Sequence, residues 1–147
     1  MADPLSVTSA LVGLVAFSFG ASKALRDTIQ SFKHHPKYVR DLSDELVALE
    51  GVLKLLEQSL ISSGEADYAM LQVPIQRCGR SCDEFKQALQ KCLKQDSNNR
   101  ASFRGWLRIR WIGNDIYGFK DTLAGYKSTI AIAMAGINLS VLWCISV

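Results

Sequence analysis

The chain has few of the residue patterns on which enzyme chemistry depends. Its 147 residues include two histidines, the adjacent pair His34 and His35, which fall in an expected loop. Adjacent side chains point apart on most backbones, so this pair does not predict a metal site. The GxxxxGKS/T, GxGxxG and HExxH motifs are all missing. We therefore expect no catalytic residues, no bound cofactor and no metal, and a protein that is not an enzyme.

Zinc-binding and secretion signals are also missing from the sequence. None of the four cysteines belongs to a CxxC pair. Cys78, Cys82 and Cys92 instead fall on the apolar face of an expected helix, as buried structural thiols do. The start of the chain lacks the positively charged segment of a secretory signal. The cysteines are therefore expected to be reduced thiols in a cytoplasmic protein.

Charge is missing from both ends of the chain. No charged residue occurs from Leu5 to Ser22 or from Ser128 to Val147. As a helix, the first segment would be about 27 Å long, which is marginal against a hydrocarbon core of about 30 Å. Two hypotheses remain open for it: a helix buried in a bundle, or a helix that inserts into a membrane. The candidates for insertion are Leu5, Val7, Leu11, Val12, Leu14, Val15, Phe17 and Phe19.

Small residues form a separate stripe along this first helix. Spacings of three and four place on one face Ser6, Ser9, Gly13, Ala16, Gly20 and Ala24. Small side chains let two helix backbones approach closely, either within a bundle or in lipid. Because the rest of the surface is apolar, the helix is expected to be covered by protein, by lipid, or by each at different times.

The remaining segments repeat apolar residues with helical spacing. Three such faces run from Tyr38 to Leu60, from Leu71 to Cys92 and from Ile109 to Ile137, and no segment alternates with the period of a strand. The pattern predicts an all-α fold, a helical bundle of about four long helices near 5–33, 37–62, 74–95 and 103–140. Pro74 is expected at the start of the third helix. Short loops predict that consecutive helices pack as antiparallel neighbours.

The same spacing predicts the residues of one shared core. They are Leu42, Leu46, Leu49, Leu53, Leu56, Ile75, Cys78, Cys82, Phe85, Leu89, Ile116, Phe119, Leu123 and Ile130.

A basic cluster lies near the expected start of the last helix. It consists of Arg100, Arg104, Arg108 and Arg110, with Trp106 and Trp111 among them. Basic residues beside tryptophan suit an anionic membrane interface, and arginines also suit phosphate contacts. A solvated helix end whose tryptophans pack into the bundle is the alternative. The net charge of +3 is too small to indicate nucleic acid, so no nucleic-acid partner is expected.

Three segments carry a resemblance to a known family. They are the opening MADPLSVTSALVGL, the segment from Arg77 to Cys82 followed by Phe85, and the segment from Asp115 to Ile130. Together they resemble the HeLo-like group of N-terminal domains on fungal STAND-type, NLR-like receptors, and the resemblance covers roughly residues 1–140. It implies a helical bundle at the N-terminus of a receptor that carries a nucleotide-binding oligomerisation module.

The resemblance also implies a class of function. Related HeLo domains are implied to kill cells by inserting an N-terminal helix into the plasma membrane after oligomerisation. Others in the group signal or regulate, and some are encoded near secondary-metabolite clusters. The implied partners are further copies of the domain, an anionic membrane, and a STAND receptor or other helical domains. The alternative from a different class is a non-lytic protein–protein interaction or regulatory domain whose first helix never leaves the core.

The whole chain, residues 1–147, is expected to be one domain. It would comprise the apolar N-terminal helix (1–33), the bundle helices (37–140) and an apolar tail (141–147). The tail departs from the family pattern, in which a polar, charged helix follows. This departure leaves open whether the chain is a free-standing effector domain or a shortened form of a longer one.

Overall fold

A computed structural model of the protein describes residues 4–31, 37–62, 68–95 and 114–146, and these residues form four α-helices. Helix α1 spans Pro4–Gln30, α2 spans Lys37–Ser62, α3 spans Gln72–Gln95 and α4 spans Asn114–Ser146. A short 3-10 helix, Ala69–Leu71, leads directly into α3. The described residues contain no strand and are nearly all helical, which confirms the predicted all-α bundle.

The helix boundaries follow local chemistry and correct the sequence prediction at two places. Helix α3 begins at Gln72, so Pro74 lies inside its first turn rather than at its start. Proline is tolerated there because the first backbone N–H groups of a helix have no intrahelical partner. Helix α4 continues to Ser146, so the predicted end at 140 is wrong and most of the apolar tail is helical. The predicted beginning of this helix, 103–113, lies outside the described residues.

The four helices occupy the corners of the bundle in an order that differs from their order in the chain. Helix α1 packs against both α2 and α3, and α4 packs against the same two helices. Over the described residues, α1 and α4 make at most marginal contact with each other, and so do α2 and α3. The expectation of sequential neighbours therefore holds for α1–α2 and α3–α4 but is wrong for α2–α3.

Apolar side chains from all four helices meet in one core. Of the predicted core residues, all are buried except Phe119, which is partly buried and packs against the core. The Phe119 ring stacks on Phe85 with ring centroids 4.4 Å apart, which joins α3 to α4. The core also includes Leu11, Val15, Leu25 and Ile29 of α1. Helix α1 is therefore packed into the bundle and contributes to its core.

Two ion pairs connect α2 to its neighbours. Arg26 of α1 donates to both carboxylate oxygens of Glu50, at 2.9 and 3.2 Å. On the other side, Lys127 Nζ of α4 lies 2.8 Å from Glu45 Oε1. Because the Glu50 side chain is only 9% exposed, loss of the Arg26 guanidinium would leave a nearly buried carboxylate without its partner. These pairs fix the positions of α1 and α4 along α2.

Candidate interaction surface

The inner side of α1 combines large apolar residues with two serines. Leu11, Val15, Leu25 and Ile29 are buried, and between them Ser18 and Ser22 are also buried completely. Ser18 Oγ donates a 2.7 Å hydrogen bond to the Ile75 carbonyl oxygen on α3. Ser22 Oγ has no hydrogen-bond partner within the described part of the chain. The contact between α1 and α3 is thus partly polar and directional.

Gly79 brings α1 and α3 close together. A Cβ atom at this position would lie 2.6 Å from Ser18 Oγ and 2.8 Å from two ring carbons of Phe17. These distances are too short for real contacts, so the absence of a side chain at Gly79 is what allows the two helices to approach. The Phe17 ring covers this point from the outside and remains 49% exposed.

The outer side of α1 carries no charge along three turns. This α1 outer face consists of the exposed residues Ser9, Ala10, Gly13, Ala16, Phe17 and Gly20. A side chain added at Gly13 or Gly20 would meet no described atom within 4 Å. Four residues of the small-residue stripe predicted from the sequence, Ser9, Gly13, Ala16 and Gly20, are therefore on the solvent side. Ala24 is partly buried, and the side chain of Ser6 lies outside the described part of the structure. The first exposed charge beyond this face is Lys23.

The predicted membrane-insertion residues are divided between the core and the surface. Leu11 and Val15 are buried, Val12, Leu14 and Phe19 are partly buried, and Phe17 is exposed. The side chains of Leu5 and Val7 lie outside the described part of the structure. Taken over the residues described, none of the helices has the length and apolar character to cross a membrane.

The predicted lipid-binding arginines Arg100, Arg104, Arg108 and Arg110 all lie outside the described residues. Their proposed role rests on the sequence alone.

A second uncharged surface on α4 was missed by the sequence prediction. This α4 outer face consists of the exposed residues Gly125, Ser128, Thr129, Ala131, Ile132 and Ala135. Ile132 is 71% exposed, among the highest values for a large apolar side chain in the described chain. The last exposed charge before this face is Asp121. The sequence signal for this face is the lack of charge after Lys127, which leaves every side of the following helix uncharged.

Cys78 and Cys82 lie one turn apart on the buried side of α3. Both side chains are fully buried. A hydrogen bond between the two thiols, burial and the nearby carboxylates of Asp83 and Glu50 raise the pKa of the Cys82 thiol. Because the thiolate is the reactive form of cysteine, this arrangement suppresses reactivity as well as access. The pair is suited to packing rather than to chemistry.

We expect Cys78 and Cys82 to resist iodoacetamide in the folded protein and to react fully after denaturation in guanidinium chloride. Burial excludes the reagent, and the raised pKa of Cys82 keeps that thiol protonated. Peptide mapping by mass spectrometry separates these two cysteines from Cys92 and Cys144. Rapid modification of Cys82 in native buffer, or stoichiometric zinc in the purified protein, would contradict the expectation.

The described residues do not form a recognisable catalytic or metal centre. Within them, no group of three or more histidine, cysteine or acidic side chains is placed to hold a metal ion. An open surface pocket lies between the end of α1 and the start of α2, and its polar lining includes Arg40, Ser43 and Asp44. All three come from the first two turns of α2, and none pairs a nucleophile with a base. The class that emerges is an all-helical bundle with two uncharged outer faces.

A family match identifies the domain more closely. Residues 2–143 match the protein-family model described as Pigment biosynthesis cluster protein PigL N-terminal, and the chain belongs to this family. The match is consistent with the expected N-terminal domain of a fungal protein. No curated protein and no solved structure matches the chain.

Proposed function

We propose that this chain is the N-terminal signalling domain of a fungal STAND-type receptor and acts without catalysis, through contacts between helical domains. The observation that carries the proposal is the α1 outer face, which presents no charge to water from Ser9 to Gly20. The solvent side of a globular helix ordinarily carries charged or polar residues. The glycines and Ala16 have little or no side chain, so they leave shallow depressions, here called notches, beside the half-exposed Phe17. Such a face is suited to packing against another helix.

The contacts on the inner side of α1 favour this mode of action over release of the helix. Withdrawing α1 would expose four large buried side chains and break the Ser18 hydrogen bond to Ile75. It would also separate Arg26 from the nearly buried Glu50. Use of the outer face needs none of these losses, because its residues already face solvent. The domain can therefore signal as a folded unit.

A lysine at Gly13 should abolish association of the domain without destabilising its fold, because replacing an exposed helical glycine by a good helix former stabilises a helix by about 0.5–1 kcal/mol. The new side chain has open space around its Cβ, but it places a charge in the centre of the α1 outer face. Gly51→Lys is the matched control, since Gly51 is also an exposed helical glycine with nothing within 4 Å. Sedimentation velocity of the parent and both variants measures the effect. Equal association of Gly13→Lys and the parent would refute a role for this face.

A membrane-active domain that induces cell death at the plasma membrane is the second candidate. The observation in its favour is that α1 has no charged residue before Lys23, so a released α1 would offer lipid an uncharged helix. Arg100, Arg104, Arg108 and Arg110 would then hold the domain on an anionic leaflet at about 1 kcal/mol each. In this mode a cytoplasmic protein would be recruited to the membrane after self-association.

Replacing these four arginines by serine tests the membrane candidate without altering α1. We expect the quadruple variant to keep the thermal stability of the parent and to lose binding to phosphatidylserine vesicles, because the electrostatic attraction is removed. Co-sedimentation with phosphatidylserine and with neutral phosphatidylcholine vesicles gives the comparison. If the quadruple variant binds as well as the parent, or if the parent does not prefer anionic vesicles, the membrane candidate fails.

A further inference from the structure

The α1 and α4 outer faces point away from opposite corners of the bundle. Each of the two helices packs against α2 and α3, and over the described residues they barely touch each other. Their buried sides converge on the common core, so their solvent sides face in roughly opposite directions. One molecule therefore presents two separate uncharged helix surfaces, and neither can cover the other within the same copy.

We propose that the α1 outer face of one copy binds the α4 outer face of a second copy, giving a head-to-tail assembly. The inference rests on the proposed function and names the partner of the α1 outer face. The two faces complement each other in both shape and charge, which favours a second copy of this chain as the partner.

Shape complementarity comes from the spacing of notches and exposed side chains. Gly20 and Gly13 lie two turns apart on α1, and Gly125 and Ile132 lie two turns apart on α4. When the helices are antiparallel and the glycines Gly20 and Gly125 are opposite each other, the Ile132 side chain meets the notch at Gly13. That notch is open, with nothing described within 4 Å of an added Cβ, and Ile132 is 71% exposed.

The charges at the ends of the two faces fit the same alignment. Lys23 follows Gly20 within one turn, and Asp121 precedes Gly125 by about one turn. In the antiparallel arrangement these two exposed side chains of opposite charge are brought opposite each other across the contact. Neither of them has a salt-bridge partner among the described residues. A parallel arrangement would place Lys23 beside the uncharged part of α4.

The direction of the two faces determines the kind of assembly. In a two-fold dimer the same surface would occur on both sides of the contact, which a pairing of α1 with α4 does not provide. Because the faces point in opposite directions, two copies cannot form both contacts with each other. The assembly must continue to further copies, either as a ring or as an open filament.

Complementary variants test this arrangement. Gly13→Lys disables the α1 outer face, and Ile132→Lys disables the α4 outer face, while both positions are solvent-exposed. We expect the parent to form species larger than a dimer as its concentration rises, and each variant alone to remain a monomer. An equimolar mixture should form a one-to-one heterodimer and nothing larger, because each variant retains the face that the other lacks. Sedimentation velocity and light scattering after size exclusion measure these masses.

Matched controls separate loss of contact from loss of fold. Gly51→Lys and Ile61→Lys place the same charge at an exposed glycine and an exposed isoleucine of α2, and both should assemble like the parent. If Ile132→Lys assembles while Gly13→Lys does not, the α1 outer face contacts some other surface, and this inference fails although the proposed function stands. If Gly13→Lys still assembles, the proposed function fails as well. A monomeric parent, or a mixture without heterodimer, also overturns the head-to-tail contact.

Discussion

Replacing Leu53 by alanine should lower the free energy of unfolding by about 2–5 kcal/mol. Leu53 is fully buried in the middle of α2, where it belongs to the core shared by the four helices. Its truncation removes apolar contacts and leaves a cavity that the surrounding helices fill only in part. Since domains of this size are stable by about 5–15 kcal/mol, the loss should shift the urea unfolding midpoint strongly.

Leu55→Ala provides the control for this prediction. Leu55 lies two residues away in the same helix but is 57% exposed, so its truncation should change the free energy of unfolding by less than about 0.5 kcal/mol. Equal effects of the two variants in urea titrations followed by circular dichroism would contradict the assignment of the core.

The contrast between these two leucines shows what the sequence can specify. Both are leucines in the same helix, and only the phase of the helical repeat separates them. For α2 and α3 the apolar residues that repeat with helical spacing lie on one side, so the repeat alone identifies the buried face. The prediction was accurate there because few other arrangements of those helices would bury the same residues.

The order of the helices in space could not be obtained in this way. Loop length and periodicity predicted consecutive neighbours, yet α2 and α3 lie across the bundle from each other in the described structure. The positions of the neighbours depend on contacts between distant residues, such as Arg26 with Glu50 and Lys127 with Glu45. Single-sequence periodicity gives the face that each helix buries but not the helix against which it is buried.

The orientation of α1 was the hardest feature to predict. Up to Ser22 its residues are apolar or small on all sides, so no polar face indicates which side of this part meets water. The small-residue stripe was expected to permit close packing, but Ser9, Gly13 and Gly20 face solvent. The side that packs against α3 instead buries Ser18 and Ser22, which a rule based on hydrophobicity would place outside.

The reason that α1 buries these two serines and exposes its small residues lies on α3. Gly79, rather than the small residues of α1, allows α1 and α3 to approach each other closely. The Ser18 side chain is small enough to occupy the space beside Gly79. There the Ser18 hydroxyl donates to the Ile75 carbonyl, which compensates for burying a polar group. The Arg77–Cys82 segment of the family resemblance contains this glycine. The role of Gly79 depends on how α1 packs against it, so this role cannot be predicted from the sequence of α3 alone.

Gly79→Ala should consequently destabilise the domain by about 1–3 kcal/mol, against the usual effect of this substitution in a helix. The new methyl group would displace either the Ser18 hydroxyl, with loss of its hydrogen bond, or the Phe17 ring. Gly51→Ala in α2 is the matched control and should stabilise the domain by about 0.5–1 kcal/mol, because nothing lies within 4 Å of its new Cβ. If urea unfolding shows that Gly79→Ala lowers the free energy of unfolding and Gly51→Ala raises it, the close contact between α1 and α3 is located at Gly79. Stabilisation by both substitutions would show that α1 does not approach α3 at this glycine.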